Sequence, residues 1–224
     1  MAATTTTVGR GVATSSCGSG LVAGLSSTGH AGQLVTVEAP TYAATTATVT
    51  LWQRQGPCWV VTGGPWPARI GGTGFSDHHR EGDQSTPTGS YTVGPVVYGT
   101  AANPGVRYPY HLLQCGDWWD EDPASSAYNT FQHVACGQAP AFGGNSEALW
   151  QETTAYKSFA VVDYNTNPTV PGAGSGIFIH ADTGSPTAGC VSLPVADLDA
   201  LLGGLDPAKS PVVVMGPASE ITHF

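Results

Sequence analysis

From Gln33 onward the chain alternates short apolar runs with clusters of Gly, Pro and small polar residues. Leu34-Val35-Thr36-Val37 reads as a strand, and Ala47-Thr48-Val49-Thr50-Leu51-Trp52 has the period of two that puts alternate side chains on one face. Cys58-Trp59-Val60-Val61 and Ala68-Arg69-Ile70 predict two further short strands, with Gly63-Gly64-Pro65 as the turn between them. A turn-rich stretch, residues 81–89, feeds Ser90-Tyr91-Thr92-Val93. From residue 100 to about 157 the pattern is aperiodic, and so long an irregular segment predicts a functional insertion or lid. Ser158-Phe159-Ala160-Val161-Val162-Asp163-Tyr164 and Gly176-Ile177-Phe178-Ile179-His180 suit buried strands, and Pro211-Val212-Val213-Val214-Met215 a last one. One helix is predicted from near Pro194, where Val195, Leu198, Leu201 and Leu202 share a face and Gly203-Gly204 supplies a stop. Residues 1–32, rich in Thr, Ser and Gly, predict a flexible or loosely docked tail, and residues 219–224 a short C-terminal one. The expected fold is mostly β, sandwich- or barrel-like, in one domain over residues 33–218.

Composition sharpens this. Charged residues are only 10% of the chain, against roughly 25% in an ordinary soluble protein, so Thr, Ser, Asn and Gln carry the polarity and favour strands and turns. A net charge of −9 excludes a non-specific nucleic-acid binder and makes an anionic membrane a poor partner. No apolar stretch approaches the roughly 18 residues of a membrane span. The start, Met1-Ala-Ala-Thr-Thr-Thr-Thr, lacks the basic and apolar regions of an export signal. The chain is therefore expected to be cytosolic or to have had such a signal trimmed.

The five cysteines, Cys17, Cys58, Cys115, Cys136 and Cys190, favour the second option. None forms a CxxC pair or has zinc-ligand spacing with the histidines, so no structural zinc site is expected. An odd number fits two disulfides and one free thiol in a secreted protein. The expected pairs are Cys115 with Cys136, closing the loop that carries Trp118, Trp119 and Tyr128, and Cys17 with Cys58, stapling the tail to the body.

Cys190 is then the unpaired cysteine, and it follows His180 across a polar turn. A thiol is a few per cent ionised at neutral pH, and a histidine within reach activates it as a nucleophile. A hairpin between the strands ending at His180 and starting at Cys190 would bring both side chains to one end of the sheet. Such a pair would titrate below the free thiol value of about 8.5. Gly189 leaves the backbone free to aim its own N–H and that of Cys190 at an oxyanion.

Gly176-Ile-Phe-Ile-His180 followed by Thr187-Ala-Gly-Cys-Val-Ser-Leu-Pro194 resembles the active-site signature of L,D-transpeptidase (YkuD-type) catalytic domains, in particular their short-loop actinobacterial branch. Thr86-Pro87-Thr88-Gly89 and Asp163-Tyr164-Asn165-Thr166-Asn167-Pro168 resemble the turn and strand segments of the same domains. The resemblance runs from about Gln33 to Gly216. It implies a β-sandwich-like catalytic domain with one C-terminal helix and a long irregular insertion. It also implies a secreted enzyme of cell-wall biogenesis, in which Cys190 attacks a peptidoglycan stem peptide and His180 is the base. The thioester passes to the side-chain amine of a second stem as a 3–3 cross-link, with no metal or organic cofactor needed, and a carbapenem acylates the same sulfur. The alternatives are an L,D-carboxypeptidase, in which water resolves the thioester, and a catalytically inactive wall-binding module. Two positions depart from the family pattern: Ala188 stands where a His or Lys is usual, and Ser192 where an Arg or Asn is usual. The usual substrate-orienting contacts therefore do not carry over.

Candidates for substrate contact are Ser192, Thr187, Tyr164, Trp118 and Arg107, with Arg80 a second candidate to receive a terminal carboxylate. Trp118-Trp119-Asp120-Glu121-Asp122 would line a peptide groove, or the Trp pair would pack over the disulfide loop. His78-His79, beside Asp77 and Glu81, is a weak metal candidate. His30, His111, His133 and His223 read as surface or structural residues. Thr86-Pro87-Thr88-Gly89 reads on its own as a turn.

Overall fold

The apolar runs form strands in the computed structural model, which describes Leu25 and residues 28–224. In chain order these are β1 (Gln33–Ala39), β2 (Thr46–Gln55), β3 (Cys58–Arg69), β4 (Phe75–Ser76), β5 (Thr86–Pro87), β6 (Gly89–Gly99) and β7 (Tyr110–Leu112). There follow β8 (Asp117–Asp120), β9 (Thr130–His133), β10 (Glu147–Ala148), β11 (Phe159–Val162), β12 (Phe178–Ala181), β13 (Val191–Leu193), the helix α1 (Val195–Gly204) and β14 (Val212–Pro217). Nine strands join in the order β11-β12-β13-β3-β2-β1-β14-β6-β7, and β11 also pairs with β6. The sheet thus folds back on itself around one core, giving a mostly β, sandwich-like domain with a single α-helix among the described residues.

Val35, Val37, Val49, Leu51, Ile179, Leu193 and Met215 fill that core. The helix closes it: Leu198, Leu201 and Leu202 are fully buried, and α1 packs on β3, β12 and β13. Burying each of these leucines contributes about 1.5–3 kcal/mol of transfer free energy. Asp197 in the first turn complements the helix dipole, and Gly203 and Gly204 form the last turn rather than the stop.

Three sequence expectations are corrected. The Gly63-Gly64-Pro65 turn lies inside one continuous strand, β3, where the register against β2 shifts and Gly64 takes φ +82. A glycine there lets the strand bulge without breaking its pairing. Thr86 and Pro87 form β5, parallel to β4, rather than a turn. The third correction concerns the strands of the His–Cys segment. β12 and β13 pair in parallel, Ile179 opposite Val191 and His180 opposite Ser192, so they are not a hairpin. Residues 182–190 run back along the sheet, which is possible because both strands are short. They are held by hydrogen bonds from Thr187 N–H to the Ile70 carbonyl (3.0 Å) and from Gly72 N–H to the Thr187 carbonyl (2.9 Å).

The irregular segment is an insertion with its own small sheet, β10-β8-β9, and a disulfide joining Cys115 to Cys136. Its Leu113, Trp119, Leu149 and Tyr156 pack on Phe159, Val161 and Phe178, a second core on the outer face of β11 and β12. Cys58, at the start of β3, is disulfide-bonded, and Cys17 lies outside the described residues, as does most of the N-terminal tail. Near the C-terminus Ile221 is fully buried against Leu25, Leu34 and Val214.

Candidate active site

Alternation along β12 and β13 assigns the faces. Ile179, Ala181, Val191 and Leu193 point into the main core. The intervening positions, Phe178 and His180 on β12 and Cys190 and Ser192 on the adjacent segment, share the opposite face, which the insertion covers at Phe178 and Cys190. Cys190 lies across from Phe178, one two-residue repeat from His180 on the adjacent strand. The parallel register thus brings the two residues to one face by a different route from the expected hairpin.

Cys190 is the free thiol among the described residues. Its sulfur donates to the Gly176 carbonyl (3.2 Å) and accepts from Phe178 N–H (3.4 Å). Its carbonyl accepts from Thr187 Oγ1 (2.6 Å), while Thr187 Oγ1 accepts from Gly189 N–H (3.2 Å). This local net fixes the turn ahead of β13. Gly189 is required there: at φ +154, a Cβ would stand 2.9 Å from the Ser85 carbonyl and 3.2 Å from Ile177.

His180 is buried, and its Nδ1–H donates to the Ala181 carbonyl (2.8 Å). That bond leaves Nε2 as the basic nitrogen of a neutral ring. Burial keeps the ring neutral by lowering its pKa, against the smaller opposing effects of the Ala181 carbonyl and Asp182. Among the described residues no hydrogen bond joins His180 to the Cys190 sulfur. What both residues meet is Tyr156. Its ring stands edge-on to His180, with centroids 5.7 Å apart at 90°, and it belongs to the cluster on which Cys190 packs.

The expectation of a lowered thiol pKa is overturned. Burial pushes the Cys190 thiol well up, the Glu147 and Glu121 carboxyls push it further, and the Phe178 N–H only partly opposes them. Burial and the two carboxyls thus favour the protonated form of the Cys190 thiol.

A cavity of about 170 Å³ opens beside the sulfur, lined among others by His79, Glu81, Glu121, Asn145, Glu147 and Ala188. Sequence reasoning had placed Ala188 in the active-site signature and Glu121 in a run expected to line a groove, but not the other four. Glu81 accepts from Tyr128 Oη and from Ser175 Oγ (2.7 Å), and Glu147 accepts from Tyr156 Oη. Burial raises the pKa of Glu147, and that of Glu121 as well, where Glu147, Glu81 and Asp120 add to the effect. His79 is buried with Nδ1 3.0 Å from both Ser85 Oγ and Asp83 Oδ1, so the loop holds it as part of the wall. Burial lowers its pKa despite Asp83 and Glu81. The one sequence signal was the run Trp118-Trp119-Asp120-Glu121-Asp122, acidic residues embedded in aromatic ones.

The remaining candidates are dispersed. Tyr164 Oη donates to the Ala173 carbonyl (2.6 Å), and its ring packs edge-on against His79. Ser192 is buried, donates to Asp182 Oδ1 (3.4 Å) and borders a separate cavity of about 600 Å³ with Trp66, Arg69 and Pro194. Trp118 packs against Trp150 and Phe142, and Trp119 is buried against Phe178, donating from Nε1 to Asn129 Oδ1 (3.0 Å). The pair therefore packs within the insertion rather than lining the Cys190 cavity. Arg107 pairs with Asp206 (3.2 Å), and the backbone N–H of Arg80 donates to Asp83 Oδ2 (2.9 Å). His111 and His133 clamp the buried Asp117 at 2.8 and 2.7 Å, and against the burial that raises its pKa the Gln114 N–H and then the two histidines lower it. His223 pairs with Glu220 (2.9 Å), and His30 is exposed.

A family model described as the L,D-transpeptidase catalytic domain, YkuD, matches residues 40–214, more than three-quarters of the chain. Neither a curated protein nor a solved structure matches it.

Proposed function

Because the chain belongs to the YkuD family of L,D-transpeptidase catalytic domains, we propose that it is an extracytoplasmic cysteine acyltransferase that forms 3–3 cross-links between peptidoglycan stem peptides. The observation that carries this reading is a free thiol, Cys190, sharing one sheet face with a neutral histidine whose Nδ1 is already committed. The disulfide in the insertion supports an oxidising compartment. Among the described residues no helix is long and apolar enough to cross a membrane. The nine residues between His180 and Cys190 favour the short-loop actinobacterial branch.

In this mechanism Cys190 Sγ attacks the carbonyl of the third stem residue as its proton moves to His180 Nε2. The C–N bond to the terminal D-alanine breaks, and His180 returns the proton to the leaving amine. A protonated resting thiol makes this transfer part of the attack rather than a preceding equilibrium. The N–H groups of Gly189 and Cys190 hold the oxyanion, Gly189 exchanging its bond to Thr187 for the substrate oxygen. A second stem's amine then resolves the thioester. Thr187 and Tyr164 act by fixing the loops around the sulfur. A carbapenem is expected to acylate Cys190 through its strained carbonyl.

Product analysis after incubation with a disaccharide-tetrapeptide tests this reading. The expected product is a cross-linked dimer, absent with Cys190→Ala. Tripeptide alone would make the protein an L,D-carboxypeptidase, and no turnover a wall-binding module.

A further inference from the structure

Three carboxyl side chains, Glu81, Glu121 and Glu147, face one small cavity beside the nucleophile, and no Lys or Arg lines it. Two of the three are engaged from the side: Glu81 by Tyr128 and Ser175, Glu147 by Tyr156. Glu121 differs. It is 8% exposed, its carboxyl makes no hydrogen bond among the described residues, and it borders the cavity. The fold makes room for it there, because a Cβ on Gly176 would overlap Glu121 Oε1. No side-chain oxygen among the described residues is sealed from solvent without a partner, so the Glu121 oxygens open to the cavity, where a bound donor would pair with them. Glycine at 176 also supplies the carbonyl that holds the Cys190 thiol, so carboxyl and sulfur meet at one residue.

We propose that Glu121, with Glu147 and Glu81, binds the primary ammonium group of the acyl acceptor, an amine on a flexible aliphatic side chain, beside the Cys190 thioester. This rests on the acyltransferase reading above. An ammonium has three donors and no acceptor, which suits a cavity that offers carboxyl oxygens from three sides. It also explains how an amine becomes a nucleophile there. One ammonium proton passes to a cavity carboxylate, and the neutral nitrogen attacks the thioester carbonyl. The C–N bond forms, the C–S bond breaks, and the second nitrogen proton goes to the departing sulfur, restoring the thiol. Because burial raises the pKa of Glu121, ammonium binding should drive a proton from it into solvent.

Titration calorimetry with Nα-acetyl-lysine N-methylamide, at neutral pH in two buffers of different ionisation heat, tests the proposal. Its neutral Nε-acetylated analogue is the control. The expected result is binding of the cationic peptide with proton release, and roughly tenfold or greater weakening for the neutral analogue. Glu121→Gln, nearly isosteric against Gly176, should abolish the proton release and weaken binding by a similar factor, and Glu147→Gln should weaken it too. Equal affinity for the two peptides, no binding to the wild type, or binding unchanged by both variants would overturn the proposal. Detection of an acyl adduct on wild-type Cys190 by intact mass separates the two readings. If the adduct forms and the calorimetry fails, only the acceptor site is wrong. If no adduct forms, the acyltransferase reading falls and the acceptor role with it.

Discussion

The ring of Tyr156 stands at right angles to that of His180, centroids 5.7 Å apart, while its hydroxyl donates to Glu147 on the cavity wall. One insertion residue thus packs on His180 and engages a carboxyl that lines the cavity beside Cys190. Tyr156→Phe keeps the ring and removes the donor, leaving the buried Glu147 carboxyl short of a partner. Chemical denaturation should show a loss of about 1–3 kcal/mol. Tyr156→Ala, which also empties the space against His180, Phe159 and Phe178, should lose about 3–5 kcal/mol.

The Cys115–Cys136 bridge closes 21 residues of the insertion that packs over Phe178 and Cys190. By the chain-entropy relation, replacing both cysteines by serine should cost about 3 kcal/mol. The loss should be local first. Hydrogen exchange in β8 and β9 should speed up before that in β1 or β14, whose residues lie in the main core. Uniform acceleration across the chain would contradict a separately packed insertion.

Glu121 sets a pH dependence of known sign. Its pKa rises from an ordinary carboxyl value to about 9 on folding, chiefly through burial. Between those two values the folded state binds the extra proton, so stability falls as pH rises. The contribution is fully present below the unfolded carboxyl pKa and is lost as pH passes through the folded one. Between pH 5 and 8, on the order of 1.4 kcal/mol per pH unit of this slope should disappear in Glu121→Gln. Denaturant titrations of both proteins across that range check it, and parallel curves would refute it.

The Cys190 thiol should alkylate slowly in the resting protein. Burial raises its pKa first, and Glu147 raises it further. The pH midpoint of iodoacetamide reaction should therefore lie above the free thiol value of about 8.5 and move down in Glu147→Gln. A wild-type midpoint at or below the free value would show that the sulfur is activated without substrate.

The strands of the core were legible because their signal is local. Residues 159–162, 178–181 and 212–215 are apolar runs that can only be buried, and Leu198, Leu201 and Leu202 fall on one helical face. Cys190 and His180 were legible through their motif, and Cys190 also as the odd cysteine. The parallel pairing of β12 and β13 was not, because it depends on Ile70 and Gly72, far away in the chain, holding the return loop. A nine-residue return can span roughly 30 Å when extended, so loop length alone left both pairings open. Glu147 and Tyr156 were missed, and Glu121 was named only within the run 118–122, because the insertion has no periodicity to say which residues face inward. Their role appears only when β8, β10 and the turn around Tyr156 close over Phe178 and Cys190. The raised thiol pKa has the same origin, since the burial and the two carboxyls behind it come from that closure.

The most direct test of the central claim is intact mass spectrometry of the acid-quenched protein after brief mixing with a stem tetrapeptide. The expected result is an adduct on Cys190 equal to the peptide less its terminal alanine, with one alanine released per adduct, and neither with Cys190→Ala. Release of alanine by Cys190→Ala at the wild-type rate, or an adduct mapped to another residue, would contradict it.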